Sequence, residues 1–407
     1  MKKLRLVMIG NGMAGVRTLE ELLKVAPDLY DITVFGAEPH PNYNRILLSP
    51  VLAGEQGFDE IVLNDLAWYQ AHGIHLRLGC RVSRIDRHYR RVIAEDGSEA
   101  EYDRLLIATG STPFMPPIPG NGLEGVIGYR DIADTRLMME TARTHRHAVV
   151  IGGGLLGLEA ANGLKLRGMD VTVVHLGDWL MDRQLDPTAS LLLQQSLEQR
   201  GLRFLLSRQT AELMDNGAGR VRAVRFADGE SIPADLVVMA AGIRPNISLA
   251  EAAGLPCNRG ILVNDTLQTF DPRIYAVGEC ASHRGTAYGL VAPLFEQARV
   301  CANHLAMLGY SRYPGSVTAT RLKVTGIELF STGDFMGAEG TETITFANPI
   351  DGIYRKLVIK DDVLVGACLF GDTHDSAWYF NQVREGRNVS AIRDQLIFGE
   401  DAVKLQR

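Results

Sequence analysis

The chain has 407 residues, of which 46% are hydrophobic and 22% are charged, and its formal net charge is −6. Such a chain is long enough for two or three globular domains, and its net negative charge, without a dominant basic stripe, argues against nucleic acid as a partner. No apolar run approaches the roughly 18 residues that cross a bilayer, and the N-terminal residues lack the apolar core of a signal peptide. We therefore expect a cytoplasmic protein without membrane contact.

A glycine-rich loop follows the first predicted strand. The apolar run Leu4–Ile9 leads into Gly10-Asn-Gly-Met-Ala-Gly15, which we call the first loop. A helix is predicted over residues 16–25 and a second strand over 31–35. A G-x-G-x-x-G sequence between a strand and a helix is the pattern of a dinucleotide-binding loop.

The same order returns later in the chain. Residues 148–151 form a predicted strand, and Gly152-Gly-Gly-Leu-Leu-Gly157 is the second loop. A helix over 158–167 ends beside Gly168, and a strand is predicted over 170–175. Apolar strands that alternate with helices indicate parallel sheets covered on both faces, so an α/β fold with two doubly wound units is expected. Two such loops predict two dinucleotides in one protein.

Each α/β unit closes on a buried strand that ends at a glycine, over residues 105–110 and 237–242. The proline-rich stretch 112–120 is interpreted as an irregular crossing between domains, and a second crossing is placed near residues 244–246. Residues 271–279 then resemble the first α/β unit again, because a short apolar strand is followed by a glycine and an acidic residue.

The last part of the chain has a different character. Residues 354–360 and 363–369 predict a hairpin, and a helix is predicted over 375–384. The predicted organisation is therefore one domain of residues 1–115 and 243–320, a second of residues 116–242, and a C-terminal α+β domain of residues 321–407.

The two loops suit the pyrophosphate of a dinucleotide for a steric and an electrostatic reason. A helix N-terminus presents unpaired N–H groups and the positive end of its dipole to an anion. In each loop the first glycine makes the turn, the second lets phosphate approach the backbone, and the third lets the helix pack against the strand. A side chain at Gly12 or Gly154 is expected to hold the phosphate away.

The end of the second strand of each unit is where the adenosine ribose binds in such folds. Glu38, 23 residues after Gly15, is the predicted acceptor for ribose hydroxyls in the first unit. His175, 18 residues after Gly157, holds the equivalent place in the second unit. A histidine neither repels a 2′-phosphate as a glutamate does nor binds it firmly near neutral pH, so NADH and NADPH both stay open.

Taken together, these residues resemble the two-dinucleotide-binding flavoprotein reductases of the pyridine nucleotide–disulfide oxidoreductase superfamily, over nearly the whole chain. The resemblance implies two Rossmann-like domains of the glutathione reductase type plus the C-terminal α+β domain, with FAD on the first loop and NAD(P)H on the second. The FAD contacts that it implies are Gly10, Gly12, Met13, Ala14, Gly15, Glu38, Arg45, Val82, Thr109, Gly110, Arg130, Glu279, Pro293 and Leu294. The NAD(P)H contacts that it implies are Gly152, Gly154, Leu156, Gly157, Glu159, His175 and Gly242.

A closer resemblance is to the N-terminal half of the assimilatory NAD(P)H nitrite reductase large subunit. Besides the two loops, it rests on Ala276-Val-Gly-Glu-Cys-Ala, Gly289-Leu-Val-Ala-Pro, Leu322-Lys-Val-Thr-Gly and Gly371-Asp-Thr-His-Asp. It implies the FAD part of a nitrate or nitrite assimilation system. The iron–sulfur and sirohaem domains of that subunit have no counterpart in this sequence, so nitrite reduction is expected to need another component.

Two details bear on electron flow. Relatives that reduce ferredoxins often carry a lysine after Pro-Leu-Ser near the flavin, whereas Pro50 follows Ser49 here. No catalytic residue is nominated, because the cofactors supply the hydride chemistry; Glu159 and Lys323 are candidates for tuning it.

The five cysteines, Cys80, Cys257, Cys280, Cys301 and Cys368, include no close pair, and residues 41–50 contain none. That spacing favours buried reduced thiols over a metal site or a disulfide relay. Electrons are therefore expected to leave the flavin directly for a one-electron carrier, which is an iron–sulfur protein, a rubredoxin or a haem protein. Three functions stay open: the reductase component of nitrate or nitrite assimilation, a rubredoxin or ferredoxin reductase, and a redox sensor with structural FAD. A homodimer is compatible with each of them.

Overall fold

The computed structural model describes residues 3–322 and 324–404. The chain divides into two compact units. The first consists of the chain up to Leu47, Phe58–Thr112 and Ile243–Ser316. The second consists of Leu48–Gly57, Pro113–Gly242 and the chain from Val317 onward.

The first unit is built on a parallel five-stranded sheet. Its strands, in spatial order, are Ile274–Ala276, Arg104–Ile107, Leu4–Ile9, Tyr30–Phe35 and His75–Arg77. The central strand pairs Ile9 with Phe35 on one side and with Ile107 on the other. The side chains from Leu6 to Ile9 are buried on both faces of the sheet, which is why this part of the strand is a continuous apolar run in the sequence.

The remaining elements of the first unit surround this sheet. The helices are Met13–Val25, Leu66–Ala71, Ser248–Ala252 and Val291–Leu305, with 3₁₀ turns at Arg45–Leu47 and Asp59–Ile61. The short strands are Asn42–Tyr43, Val62–Asn64, Val82–Asp86, Arg91–Ala94, Glu99–Glu101, Ser111–Pro113, Ile243–Pro245, Ile261–Val263 and Ala281–His283.

The second unit repeats the parallel sheet. Its strands, in spatial order, are Val126–Gly128, Leu236–Met239, His147–Ile151, Asp170–Val174 and Arg203–Leu205. The helices of this part are Leu48–Ala53, Ile132–Thr144, Leu155–Leu166 and Pro187–Gln199. A three-stranded antiparallel sheet is formed by Thr210–Asp215, Val221–Phe226 and Ser231–Pro233.

An antiparallel five-stranded sheet completes the second unit. Its strands, in spatial order, are Ala319–Arg321, Leu329–Gly333, Val363–Phe370, Ile353–Lys360 and Glu342–Asn348. The helices Ser376–Glu385, Arg393–Leu396 and Glu400–Lys404 and the 3₁₀ turn Ser390–Ile392 follow. The predicted hairpin and helix are both present, and the hairpin turns at Asp361 and Asp362, which have φ of +49° and +59°.

The segment Leu48–Gly57, which we call the strap, packs on the helix Leu155–Leu166 of the second unit. Leu52 is fully buried, and a Cβ placed on Gly163 would lie 2.7 Å from Leu52 Cγ. Arg167 Nε donates to Leu52 O at 2.6 Å, which fixes the end of the strap helix. No local pattern in the sequence indicates that these residues pack with the second unit, because their partners lie far along the chain.

The two loop helices begin earlier than the sequence predicts, at Met13 and Leu155 instead of residues 16 and 158. In both cases the second glycine of the loop is the N-cap, so the helix starts inside the glycine-rich motif. Among the helices of residues 3–322 and 324–404, none is long and apolar enough to span a membrane.

Candidate functional site

The first loop makes a tight turn at the carboxyl end of the strand Leu4–Ile9. Gly10 has a φ of +104°, and a Cβ there would lie 2.1 Å from Ala108 O, so only glycine fits. A Cβ on Gly15 would lie 2.9 Å from both Ala108 Cβ and Met8 Sδ. These contacts confirm that the first and third glycines are required by the protein itself.

Gly12 differs, because the protein itself does not require a glycine there. Its backbone is extended, with φ −85°, and no heavy atom of the described chain beyond its sequence neighbours lies within 4 Å of a Cβ built on it. It is the N-cap of the helix Met13–Val25, and no side chain caps that helix end. The space in front of the helix N-terminus is therefore open, and Met13 and Ala14 form its first turn.

Two polar side chains, those of Tyr69 and Asn42, hold the first loop in position through Asn11. Tyr69, which is 2% exposed, donates its hydroxyl to Asn11 Oδ1 at 2.7 Å. Asn42 Nδ2 donates to Asn11 O at 3.0 Å, and Asn42 is also buried. With the carbonyl of Asn11 turned toward Asn42, the N–H of the same peptide bond, that of Gly12, points the opposite way. Burial raises the pKa of Tyr69, so its hydroxyl keeps its proton as a donor.

Glu38 lies beyond the strand Tyr30–Phe35, where the sequence predicts the ribose acceptor. Arg45 Nη2 donates to Glu38 Oε1 at 2.5 Å, and Tyr43 donates its hydroxyl to Glu38 Oε2 at 2.7 Å. Burial acts to raise the pKa of Glu38, but the charge and hydrogen bonds of Arg45 and Tyr43 outweigh it and hold the pKa below its usual range. The two predicted residues, Glu38 and Arg45, are therefore in direct contact.

The strand-end residues Thr109 and Gly110 are fixed by Asn246. Asn246 Nδ2 donates to Thr109 O at 2.9 Å, and the Thr109 hydroxyl donates to Asn246 O at 2.8 Å. Gly110 has a φ of +66°, and its carbonyl accepts from Asn246 N at 2.9 Å. The next residue, Ser111, donates its hydroxyl to Glu279 Oε2 at 3.0 Å.

The returning segment places Gly278 and Glu279 beside the first loop. A Cβ on Gly278 would lie 3.0 Å from Ala14 Cβ, and Gly278 N donates to Gln297 Oε1 at 3.0 Å. Gln297 belongs to the helix Val291–Leu305, whose first turn contains the buried Pro293 and Leu294. No side chain caps this helix either.

Val82, another predicted FAD contact, begins the strand Val82–Asp86 of the first unit and pairs with Ala94. Arg130, also predicted to contact FAD, belongs instead to the second unit, where its backbone N–H donates to Asp134 Oδ2 at 2.7 Å. The FAD role of each residue stays a prediction.

The second loop reproduces the geometry of the first. Gly152 has a φ of +126°, and a Cβ on it would lie 2.3 Å from Ala240 O; a Cβ on Gly157 would lie 2.0 Å from Gly152 O. Gly154 is the uncapped N-cap of the helix Leu155–Leu166, with φ −84°, and a Cβ on it would meet no heavy atom within 4 Å in the described chain beyond its neighbours. Leu156 follows in the first turn of the helix.

Gly242 follows the strand Leu236–Met239 and is the last residue of the stretch Pro113–Gly242 of the second unit. Its φ is +113°, which favours glycine, and its carbonyl accepts from Phe114 N at 2.8 Å. Its proposed contact with NAD(P)H is a prediction. Lys323, named as a candidate for tuning, lies outside the described residues.

Glu159 lies on the helix that the second loop begins, and it is 5% exposed. The Ser49 hydroxyl, from the strap, donates to Glu159 Oε2 at 2.7 Å. The Tyr129 hydroxyl lies 3.4 Å from Ser49 Oγ, and burial raises the pKa of Tyr129 well above its usual value. The strap therefore supplies a donor to a buried carboxyl group that lies within two turns of the second loop.

Both loops fit a pyrophosphate. Each combines an uncapped helix N-terminus with an N-cap glycine whose Cβ position is empty, although the backbone there suits any residue. This free space leaves the N–H groups of the helix N-terminus accessible to an anion such as a pyrophosphate. The described residues contain no group of three or more metal-ligating side chains.

Family models match two parts of the chain. Residues 4–304 match the pyridine nucleotide-disulphide oxidoreductase model, and residues 319–387 match the rubredoxin NAD+ reductase C-terminal domain. The chain belongs to the pyridine nucleotide-disulphide oxidoreductase family. Membership confirms the prediction of an α/β oxidoreductase that uses FAD and NAD(P)H.

Individual relatives narrow the resemblance. The nitrite reductase [NAD(P)H] of Bacillus subtilis is 52% identical over 390 residues, which are 96% of this chain and 48% of that protein. The assimilatory nitrate reductase electron transfer subunit of the same organism is 48% identical over 397 residues, 98% of this chain and 51% of that protein. The chain thus spans about half the length of these curated relatives.

A solved structure shares the fold over the full length. The reductase of the covalent putidaredoxin reductase–putidaredoxin complex matches with a TM-score of 0.88 and 26% identity, covering 100% of this chain and 98% of that chain. The likeness includes the C-terminal region, which the sequence alone describes only as α+β.

Several residues of the site were not predicted. Asn11 is inside the first loop, but nothing in the sequence shows that Tyr69 and Asn42 hold it. In the sequence, Ser49 is notable only because Pro50 follows it. Its hydrogen bond to Glu159 joins residues that are 110 positions apart. Apolar periodicity carries no information on such long-range polar contacts.

Proposed function

We propose that this chain oxidises NAD(P)H through FAD and passes the electrons to a separate one-electron carrier in nitrate or nitrite assimilation. The observation that carries the proposal is the pair of matching loops, each with an empty Cβ position at its N-cap glycine. The assimilatory setting is supported by relatives that are 52% and 48% identical over nearly all of this chain.

The first unit is proposed to hold FAD and residues 116–242 of the second to hold NAD(P)H, with residues 321–407 as the C-terminal domain. Bound FAD would accept a hydride from NAD(P)H and release electrons one at a time. Gly12 and Gly154 leave the helix N–H groups open to each pyrophosphate. Asn42 and Tyr69 orient the first loop, and Ser49 orients Glu159, the proposed neighbour of the nicotinamide.

The acceptor is proposed to be an iron–sulfur or haem protein or subunit, on the support of the two nitrogen-assimilation relatives. A second candidate is a rubredoxin or ferredoxin reductase. It is favoured by the match of residues 319–387 to the rubredoxin reductase C-terminal domain and by the likeness to putidaredoxin reductase. A cytoplasmic location belongs to the same proposal and rests on the sequence argument, and a homodimer is compatible with it.

Anaerobic stopped-flow mixing of the FAD-loaded protein with NADH and NADPH tests the first half of the proposal. Flavin bleaching at the roughly 1–10³ per second of ordinary turnover is expected. Bleaching that takes minutes would instead indicate a redox sensor with structural FAD. The Gly154→Ala variant is the control, because it is expected to weaken nucleotide binding and to keep the flavin.

Steady-state transfer to purified acceptors tests the second half. The sirohaem nitrite reductase component, the assimilatory nitrate reductase catalytic component, a rubredoxin and a ferredoxin are compared at equal concentration. Preferred turnover with either nitrogen-assimilation component supports the leading proposal. Turnover with only the rubredoxin or the ferredoxin would instead support the second candidate function, a rubredoxin or ferredoxin reductase.

A further inference from the structure

A buried carboxylate, that of Asp186, joins the C-terminal sheet to the part of the second unit that contains the second loop. Asp186 is 4% exposed, and it is the N-cap of the helix Pro187–Gln199, where its Oδ1 accepts from Ala189 N at 3.0 Å. Its Oδ2 accepts from the Tyr354 hydroxyl at 2.6 Å and lies 3.5 Å from Lys356 Nζ. We call Asp186, Tyr354 and Lys356 the carboxylate cluster.

The carboxylate cluster does more than cap a helix. One oxygen of Asp186 is enough for the cap, and the other one interacts with two groups of the strand Ile353–Lys360. Tyr354 and Lys356 are two positions apart, so they lie on the same face of that strand. Burial and the hydrogen bond to Asp186 raise the pKa of Tyr354, so its hydroxyl keeps its proton as the donor. A charge-assisted hydrogen bond, one of the stronger kinds, therefore ties the start of the helix to the C-terminal sheet.

Residues 175–185, which we call the connecting segment, lead from the strand Asp170–Val174 to Asp186. Met181 and Leu185 are fully buried, and Leu185 N donates to Met181 O at 2.8 Å, so a single tight turn separates Met181 from Asp186. Met181 has a φ of +52°, which a residue other than glycine keeps only when its surroundings impose it. The anchor at Asp186 is part of those surroundings.

The connecting segment holds the peptide group between Gly153 and Gly154 of the second loop. Met181 N donates to Gly153 O at 2.9 Å, and Gly153 N donates to His175 Nδ1 at 3.2 Å. His175, the predicted NAD(P)H contact, begins the segment, and a Cβ on Gly177 would lie 2.8 Å from its Nε2. With the carbonyl of Gly153 turned toward Met181, the N–H of the same peptide bond, that of Gly154, points the opposite way.

We propose that the carboxylate cluster positions the second loop, so that the C-terminal sheet keeps the Gly154 N–H directed at the dinucleotide pyrophosphate. In the first loop the Asn42 side chain holds the carbonyl of Asn11, which has the same place in the motif. In the second loop the backbone N–H of Met181 does this, and Asp186 anchors the segment that contains it. The inference rests on the proposed function, in which the second loop binds the nicotinamide nucleotide.

Tyr354→Phe removes one hydrogen bond of the cluster and keeps the aromatic ring. Complete loss of a hydrogen bond to a charged phosphate raises Kd about 10- to 150-fold, and a displaced donor loses only part of that bond. We therefore expect Tyr354→Phe to raise the Kd of a ligand that carries the pyrophosphate about 3- to 30-fold. The limiting rate of flavin reduction should change less than about twofold, because only binding is weakened.

Titration calorimetry of the FAD-loaded protein with ADP-ribose measures binding without turnover, and 2′-phospho-ADP-ribose replaces it if the wild type binds that ligand more tightly. Stopped-flow reduction by the matching nucleotide gives the limiting rate, and the flavin spectrum reports that the first unit is intact. The matched control is Tyr379→Phe, which removes another buried hydroxyl of the C-terminal domain, one that donates to Leu396 O at 2.7 Å. The control should lower the urea midpoint, as Tyr354→Phe does, and leave Kd unchanged.

Asp186→Asn separates the anchor from the helix cap. Asparagine caps a helix as well as aspartate does, but with its carbonyl oxygen at the cap its amide nitrogen cannot accept from Tyr354. Asp186→Asn should therefore raise Kd at least as much as Tyr354→Phe. Adding Tyr354→Phe to it should raise Kd less than about twofold further, because residues that act as a unit are not additive.

Four results would overturn the inference. An unchanged Kd in Tyr354→Phe, with a lowered urea midpoint, would show that the cluster only fastens the C-terminal sheet. An equal rise of Kd in Tyr379→Phe would make general loosening of that domain responsible. Full additivity of Asp186→Asn and Tyr354→Phe would show that Tyr354 does not act through Asp186. Binding of neither probe by the wild type would remove the proposed function itself, and the inference with it.

Discussion

Gly154 offers a clean test of the second loop, because its backbone and surroundings accept an alanine. Its φ is −84°, and an added Cβ would meet no heavy atom within 4 Å in the described chain beyond its neighbours. Alanine is a poorer N-cap than glycine, but it also reduces the freedom of the unfolded chain, and the two effects offset each other. We expect Gly154→Ala to change the free energy of unfolding by less than about 1 kcal/mol.

Binding of NADH should change far more. The added methyl group occupies the space in front of the helix N-terminus, where the pyrophosphate must approach the backbone. Losing one hydrogen bond between an N–H group and a charged phosphate costs about 1.5–3 kcal/mol. That loss corresponds to an increase of about 10- to 150-fold in Kd.

The assay is anaerobic stopped-flow reduction of the flavin over a range of NADH concentrations, which gives the apparent Kd and the limiting rate. The flavin spectrum reports at the same time that the first unit is intact. Gly152→Ala is the contrasting variant, since its φ of +126° and the Cβ distance of 2.3 Å to Ala240 O predict misfolding of the loop. Unchanged NADH affinity in Gly154→Ala, or loss of its FAD, would refute the reasoning.

Three more predictions concern other parts of the molecule. Gly12→Ala should fold but bind FAD about 10- to 150-fold more weakly, seen as a lower flavin content, with the urea midpoint of wild-type protein stripped of FAD, because bound FAD stabilises the fold; full flavin content and unchanged FAD affinity would show that the first loop does not bind it. Ser49→Ala should lower the free energy of unfolding by about 1–3 kcal/mol, because buried Glu159 loses a donor, and Tyr129→Phe should cost less, since its contact with Ser49 is 3.4 Å; equal urea midpoints for Ser49→Ala and the wild type would contradict this. Hydrogen bonds from Arg284 and His283 lower the pKa of Asp265 to about 2, so the stability that Asp265 adds should be present above about pH 4 and be lost as the pH falls toward about 2. Denaturation of Asp265→Asn beside the wild type checks this, and a stability gap that persists below pH 2 would contradict it.

The sequence predicts the two parallel sheets and their loops well, because the signal is local. The predicted strand over 31–35 is observed as Tyr30–Phe35, and the one over 148–151 as His147–Ile151. Buried parallel strands are apolar on both faces, and glycine marks the turn that follows. Both loop helices begin three residues earlier than the sequence predicts. A glycine-rich motif does not favour a helix, yet the second half of each motif is helical in the structure.

Contacts between distant residues could not be predicted in the same way. The hydrogen bond from Ser49 to Glu159 and those around Asn11 join elements that no periodicity connects. The enclosure of His175 between Gly153 and Gly177 is a further example. A histidine at the end of a strand leaves NADH and NADPH open, and nothing in the sequence shows that Gly153 N donates to its Nδ1 at 3.2 Å.

The path of the chain between the two units has a consequence for how the protein can be divided. The chain passes from one unit to the other five times, at Leu47, Gly57, Thr112, Gly242 and Ser316. Neither half is a continuous stretch, so no single cut or terminal deletion yields an intact unit. A fragment of residues 113–242 would lack the strap, which would leave Gly163 uncovered and Glu159 without Ser49. Folding must also join segments far apart in sequence before either sheet is complete, which is slow for chains of this topology. Proteolysis in the strap should therefore disturb the helix of the second loop, because that is the helix on which the strap packs.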